Sequence, residues 1–415
     1  MNNSLLVIGG GIAGMTAAVE AAECGQKVYL IEKEAYLGGR VARMNKYFPK
    51  LCPPYCGMEI NFRRIRVNPH IEILTLSEVV SITGQKGDFT ATIKTAPRYV
   101  NNKCTTCKEC EGVCPVSRPD EFNYGMSQTK AVYLPHAMAM PMKHVIDMSV
   151  CKGQSCGECA KVCNYGAIDL SMEPSETQVK VASVVYATGW KPYDASKIAN
   201  LGYGSVANVI NNVEMERLAA INGPTGGKIL RRDNGGPVNT VAFVQCAGSR
   251  DENHLQYCSS ICCLASLKQA TYVREQYPDS EVYVFYIDLR APGKYEAFYT
   301  RVAADPKIKV IKGKVAKVEQ APDGRAVVTA EDIMGGGKMS VSCDLVVLAT
   351  GMEPAYNGNG VKPDGYGFMP AENMAPGVFS TGVAKRPQDV TSSIQDATGA
   401  ALFSLQCSAG EASHG

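Results

Sequence analysis

Net charge is nearly absent from this chain: 42 Lys and Arg stand against 40 Asp and Glu, a formal +2. That balance gives no electrostatic footprint for nucleic acid or for an anionic membrane surface. No apolar run approaches the roughly 20 residues that cross a bilayer, so no direct membrane span is expected. The opening run LLVIGGGIAGMTAAV has neither a basic start nor a cleavage site and does not read as a signal peptide. The expected compartment is the cytoplasm, with any membrane association made through another protein of a complex. Histidine is scarce, and His70, His136, His144, His254 and His414 show no ligand spacing. No acid–base or nucleophile constellation stands out either, which leaves cofactors to carry the chemistry.

Cysteine, by contrast, is plentiful. Seventeen thiols in a chain without an export signal argue against a disulfide framework and for metal or redox chemistry. Eight fall between Cys104 and Cys163, and four between Cys246 and Cys263. With 415 residues, 45% hydrophobic and 20% charged, the chain is expected to form two or three ordinary globular domains.

Residues 4–33 read as an apolar strand, then Gly9-x-Gly11-x-x-Gly14, a helix of small residues that includes Ala13, and a second strand ending at Glu32 and Lys33. Glycines there let backbone amides approach a pyrophosphate at a helix N-terminus, and Glu32, 18 residues beyond Gly14, is placed for ribose hydroxyls. The fingerprint alone leaves NAD and FAD open; later features select FAD. Gly38-Gly39-Arg40 follows the second strand. VVYATGW (184–190, with Ala187, Thr188 and Gly189) and LVVLATGMEP (345–354, with Gly351) resemble the crossings between two nucleotide domains in thioredoxin-reductase-like flavoproteins. GVFSTGVAKRPQDVTSSIQDATGAA (377–401), with Gly382, Val390 and Ser392, resembles their closing flavin segment, although Val383 stands where an Asp is common. Val80 completes the expected cofactor contacts.

Between two strand-like stretches lies a block of different composition. It opens Cys104-x2-Cys107-x2-Cys110-x3-Cys114-Pro115, followed by Cys151-x4-Cys156-x2-Cys159-x3-Cys163, where two extra residues and Asn164 in place of proline depart from the pattern. This is ferredoxin spacing, in which three thiolates hold one [4Fe–4S] cluster and the fourth reaches to the second. Cross-over pairing gives Cys104, Cys107, Cys110 and Cys163 for one cluster. Cys114, Cys151, Cys156 and Cys159 hold the other. Two zinc knuckles are the rival reading, but zinc sites more often show separated CxxC pairs.

A second nucleotide-like domain begins with a strand at 241–245 and continues with a helix expected over about 258–277. Its turn reads CAGSRD, with one glycine where a pyridine-nucleotide site needs several, so NAD(P)H is disfavoured there. Cys258 and Cys262 are expected one helical turn apart, with Cys263 beside them and Cys246 on the strand end. The reading is a third cluster at a helix N-terminus; buried core cysteines are the alternative. INGPTGGKILRRDNGGPVN (221–239) reads as a mobile loop.

IGGGIAGMTAA, the inserted ferredoxin, NNVEMERLAAINGPTGG, QCAGSRD and YCSSICC together resemble the HdrA component of heterodisulfide reductase over nearly the whole chain. Within that family they resemble the shorter QmoA type, from the quinone-interacting membrane-bound oxidoreductase complex, whose longer relatives carry a further ferredoxin domain. The resemblance implies FAD plus iron–sulfur clusters, with Cys246, Cys258, Cys262 and Cys263 as ligands. It also implies QmoB-like and membrane QmoC-like subunits as partners, and electron exchange with adenylylsulfate reductase. Cys52 and Cys56 occupy the region where a disulfide reductase keeps its redox pair, at C-x3-C spacing that does not match. An NAD(P)H-dependent disulfide reductase and a soluble heterodisulfide-reductase-type subunit remain alternatives.

The expected fold is α/β, a thioredoxin-reductase-like pair of dinucleotide-binding domains with an inserted ferredoxin-like domain. Its expected boundaries are 1–98 (FAD domain), 99–176 (insert), 177–235 (crossover and linker), 236–345 (second domain) and 346–415 (FAD-domain return).

Overall fold

The computed structural model describes residues 3–356 and 361–408; His414 and the end of the return segment lie outside them. The chain forms two units, one of residues 1–42, 55–190 and 354–415, the other of 43–54 and 191–353.

In the first unit, alternation gives way to continuous burial: Leu5, Leu6 and Val7 are fully buried, as expected of a strand covered on both faces. Five parallel strands run in the order Val378–Ser380, Ser183–Tyr186, Ser4–Ile8, Lys27–Glu32, Ile71–Thr75. A three-stranded antiparallel sheet, Ser175–Val181, Asp88–Thr95 and Ser77–Gln85, packs on them through Val79, Phe89, Ile93 and Val181. Helix Ile12–Glu23 follows the first strand, and helix Val390–Ser408 packs against it.

The second unit repeats this plan. Its parallel sheet runs Val209–Asn211, Leu345–Thr350, Thr240–Ala247, Glu281–Tyr286, Ile308–Lys312. Antiparallel strands Val315–Gln320, Ala326–Asp332 and Gly337–Cys343 cover one face. Helix Cys262–Gln276 therefore stands after Thr240–Ala247 just as Ile12–Glu23 stands after Ser4–Ile8.

Three expectations need correction. Residues 191–235 are no linker: they supply the edge strand Val209–Asn211 and helix Asn212–Ala219. That helix starts with a capping box, Asn211 Oδ1 accepting from Val213 N and Glu214 N while Glu214 Oε2 accepts from Asn211 N. The 221–239 loop is tied down rather than loose, with Ile229 and Val238 fully buried and Arg231 paired to Asp233 and Asp344. Residues 43–54 belong to the second unit. Arg217, fully buried, donates to the Arg43 carbonyl at 3.3 Å, and Glu216 Oε2 accepts from Asn45 N at 3.0 Å. Lys268 Nζ sits 2.9 Å from Glu216 and donates to the Lys46 carbonyl at 2.6 Å. These contacts give a structural role to the NNVEMERLAA stretch.

The Lys268–Glu216 pair is buried on both sides, and removing one partner strands the other charge. Lys268→Met is expected to destabilise the protein by about 3 kcal/mol, read as a shifted urea midpoint.

Candidate cofactor and cluster sites

The first strand ends at Ile8, and the turn beyond it is built by close backbone approach. Gly9 has φ +111°, and a Cβ on it would lie 2.3 Å from the Ala187 carbonyl oxygen. A Cβ on Gly14 would lie 1.8 Å from the Gly9 oxygen, so the helix can press on the turn only because Gly14 has none. Gly11, by contrast, opens onto free space at the helix N-terminus. That opening is the cradle a pyrophosphate needs.

Glu32 closes one side: Oε2 accepts from Gly10 N at 2.7 Å and Oε1 from Glu34 N at 2.8 Å. Burial pushes its carboxyl up to about 7, against the lowering effect of those amides. Gly38 N donates to the Gly10 carbonyl, Gly39 lies against Gly11, and Gly382 packs on Ala13. Thus Gly9, Gly11, Ala13, Gly14, Glu32, Gly39, Ala187 and Gly382 are brought together. Thr188 Oγ1 and both amide atoms of Gln388 are buried with no hydrogen-bond partner among the described residues. Unpaired buried polar atoms are costly, and a polar cofactor satisfies them. The residues fit FAD. Gln388 carries no signal of its own in the sequence; only its place before Val390, at the head of the closing helix, could flag it.

Other expected contacts fall elsewhere or are already engaged. Arg40 is spanned by the insert and the crossing, donating to the Trp190 carbonyl at 3.1 Å and to Tyr124 Oη at 3.2 Å. Lys33 is exposed beside Glu32; Val390 begins the last helix; Ser392 N donates to Asp389 Oδ1 at 2.6 Å. Val80 stands on the antiparallel sheet, at a bulge, 53% exposed. Gly351 is in the second unit, where a Cβ would lie 2.3 Å from Ser249 Oγ; the strand Leu345–Thr350 carries it there. Val383 is buried and supplies no acid; the nearby Asp396, on the last helix, accepts from Thr381 Oγ1 and Gly382 N and pairs with Lys385 at 2.8 Å.

The insert holds two cavities. The lining of one includes Cys104, Cys107, Cys110 and Cys163; that of the other includes Cys114, Cys151, Cys156 and Cys159. This is the cross-over division. Burial pushes Cys110 up to about 12, with Glu111 and Cys104 adding to it; burial, then Cys151, raises Cys159. Assembly of a cluster must therefore displace protons. Among the described residues no three His, Cys, Asp or Glu side chains close on a point as a single ion needs. A cubane instead spaces its thiolates around four irons, which suits open cavities.

In the second unit the thiols gather at the head of helix Cys262–Gln276. Cys258 is not on that helix, contrary to the sequence expectation: Ser260 at φ +60° breaks the run, Cys258 Sγ accepts from Ser260 N, and Ser259 Oγ accepts from Met352 N. Cys246 is itself left-handed at φ +56°, in a strand that bulges between Val244 and Ala247. Burial first, then the neighbouring thiols, raises Cys246 to about 11 and raises Cys262 further. The four are thus close enough to act on one another. Gly248, the turn's glycine, has no room for phosphate on its Cβ side: a Cβ would lie 2.5 Å from the Tyr193 ring. Cys52 and Cys56 are both exposed and fall in different units.

These features define an FAD-dependent oxidoreductase of thioredoxin-reductase-like fold. A family model described as FAD dependent oxidoreductase matches residues 4–51. The fold is similar to thioredoxin reductases from T. acidophilum (TM-score 0.52, 14% identity, 98% and 99% of the two chains) and Lactococcus lactis (TM-score 0.50, 12% identity, 98% and 99%). By sequence the chain belongs to the HdrA family of heterodisulfide reductase components. It is 37% identical to the HdrA component of the Ferredoxin/F(420)H(2)-dependent CoB-CoM heterodisulfide reductase of Methanosarcina acetivorans, covering 98% of this chain and 53% of that protein. It is 39% identical to the first of two iron-sulfur HdrA components of the CoB--CoM heterodisulfide reductase of Methanopyrus kandleri, covering 97% and 63%. The chain thus spans between half and two thirds of the length of these relatives. Among the described residues no helix is long and apolar enough to cross a membrane.

Two outcomes are expected. Gly11→Val, at a position whose φ of −73° suits any residue, fills the cradle and should cut flavin affinity at least tenfold, about 1.4 kcal/mol, read from bound-flavin absorbance. Glu32 is raised in the folded state, so its favourable contribution is complete below its ordinary value of 4.5 and is lost as pH rises through about 7. Flavin-free protein should lose about 3 kcal/mol over that window, and Glu32→Gln should flatten the slope in urea titrations.

Proposed function

We propose that this chain is the electron-transfer subunit of a multi-subunit oxidoreductase, holding FAD and three [4Fe–4S] clusters. The supporting observation is the division of eight insert thiols into two four-thiol cavities in the ferredoxin cross-over pattern. Cys246, Cys258, Cys262 and Cys263 are the ligands of the third. When bound, FAD accepts two electrons and releases them singly, and each cubane carries one at a time. The chain's own part is to seat the pyrophosphate on the amides beyond Gly11, fix the ribose with Glu32, and supply the cysteine thiolates.

The finer reading follows the QmoA-type resemblance. The chain joins QmoB-like and membrane QmoC-like partners, sits peripherally at the cytoplasmic membrane face, and passes electrons between a quinone-linked partner and adenylylsulfate reductase in dissimilatory sulfur metabolism. A second reading is favoured by the relatives' names: a soluble heterodisulfide-reductase-type complex. Both require the clusters.

Iron and acid-labile sulfide assays on anaerobically isolated protein should give about twelve irons per chain. Eight removes the 246–263 site, and none reduces the chain to a scaffold. Affinity isolation of the native complex separates the two partner sets: recovery of a quinone-linked membrane protein with adenylylsulfate reductase supports the first, and its absence beside a disulfide-reducing partner supports the second.

A further inference from the structure

The two cavities of the insert differ in a way that ligation does not require. The cavity of Cys104, Cys107, Cys110 and Cys163 also contains an imidazole, His144; the other has none. His144 is 1% exposed, with Nδ1 3.6 Å from Cys104 Sγ and Nε2 2.7 Å from Glu111 Oε1. Both ends are fixed. Glu111 Oε1 also accepts from Leu134 N at 2.9 Å, and Arg98 donates to the His144 carbonyl at 3.4 Å and to the Ala35 carbonyl at 2.5 Å.

Four cysteines already complete the cluster's ligand set, so the ring is surplus as a ligand. A metal-bound thiolate is an acceptor only, so the ring nitrogen facing Cys104 Sγ can bond to it only as a donor. We infer that His144 is a positioning residue that donates a hydrogen bond to the Cys104 sulfur, held in that role by Glu111, and thereby raises the reduction potential of the cluster on Cys104, Cys107, Cys110 and Cys163. Reduction adds negative charge to the cluster, and a donor on a ligand sulfur stabilises that added charge. The ring's burial strengthens the effect. The inference rests on the ligand assignment proposed above.

Potentiometric titration of the whole anaerobically purified protein, followed by electron paramagnetic resonance, tests it. In His144→Leu one cluster signal is expected to move to lower potential while the others stay in place. In His144→Asn, whose amide nitrogen reaches about as far as Nδ1, most of the shift should be restored. Unsubstituted protein grown with ¹⁵N-histidine should show labelled-nitrogen coupling in a single cluster signal, a readout that needs no variant. Equal movement of all cluster signals, no movement at unchanged iron content, or absent coupling would overturn the inference. Fewer than eight irons in the unsubstituted protein would overturn the ligand assignment itself and the inference with it.

Discussion

Each five-stranded parallel sheet has a strand that leads to the N-terminus of a helix, whose first amides need a partner. In the first unit the answer is an opening at Gly11, bounded by Glu32, sized for backbone to meet a pyrophosphate. In the second, the equivalent turn after Thr240–Ala247 is blocked on the glycine side by Tyr193 and surrounded by four thiols. The same helix field can hold a phosphate or an anionic cluster. What decides between them is whether the turn has space or sulfur.

Seen this way, the insert and the second unit solve one problem by different routes. The insert spaces its thiols by short sequence intervals and lets two cavities exchange one cysteine each. The second unit draws its thiols from a strand end, a loop and a helix head, through left-handed residues at Cys246 and Ser260. Such conformations cost energy for residues with side chains and persist where surrounding structure enforces them. Here the enforcement includes Ser259 bonded to Met352 and Tyr257 bonded to the Met352 carbonyl.

Much of this is legible in the residues. Fully buried strands, the glycine turn and the ferredoxin spacing are local signals, and local signals survive folding. What cannot be read depends on chain segments far apart in sequence. His144 lies 40 residues from Cys104 with no spacing to announce it. Asp396, 14 residues beyond Gly382, accepts the Gly382 N–H from the last helix. The apolar pattern runs on through Cys258 and so predicts helix there, while the break at Ser260 is a backbone event that composition does not mark. Residues 43–54 join the second unit through the buried side chains of Arg217 and Lys268, whose charges would ordinarily suggest surface.

The chain passes between its units four times, at 42/43, 54/55, 190/191 and 353/354. The strand Val378–Ser380, which pairs with Ser183–Tyr186, arrives almost 200 residues after its neighbour. During synthesis the flavin-side sheet must therefore wait, incomplete along that edge, while residues 191–353 of the second unit emerge. A topology of this kind folds slowly and late rather than domain by domain. Neither unit can be excised as a continuous fragment, so any attempt to graft the second onto another flavoprotein must stitch two separate stretches of chain.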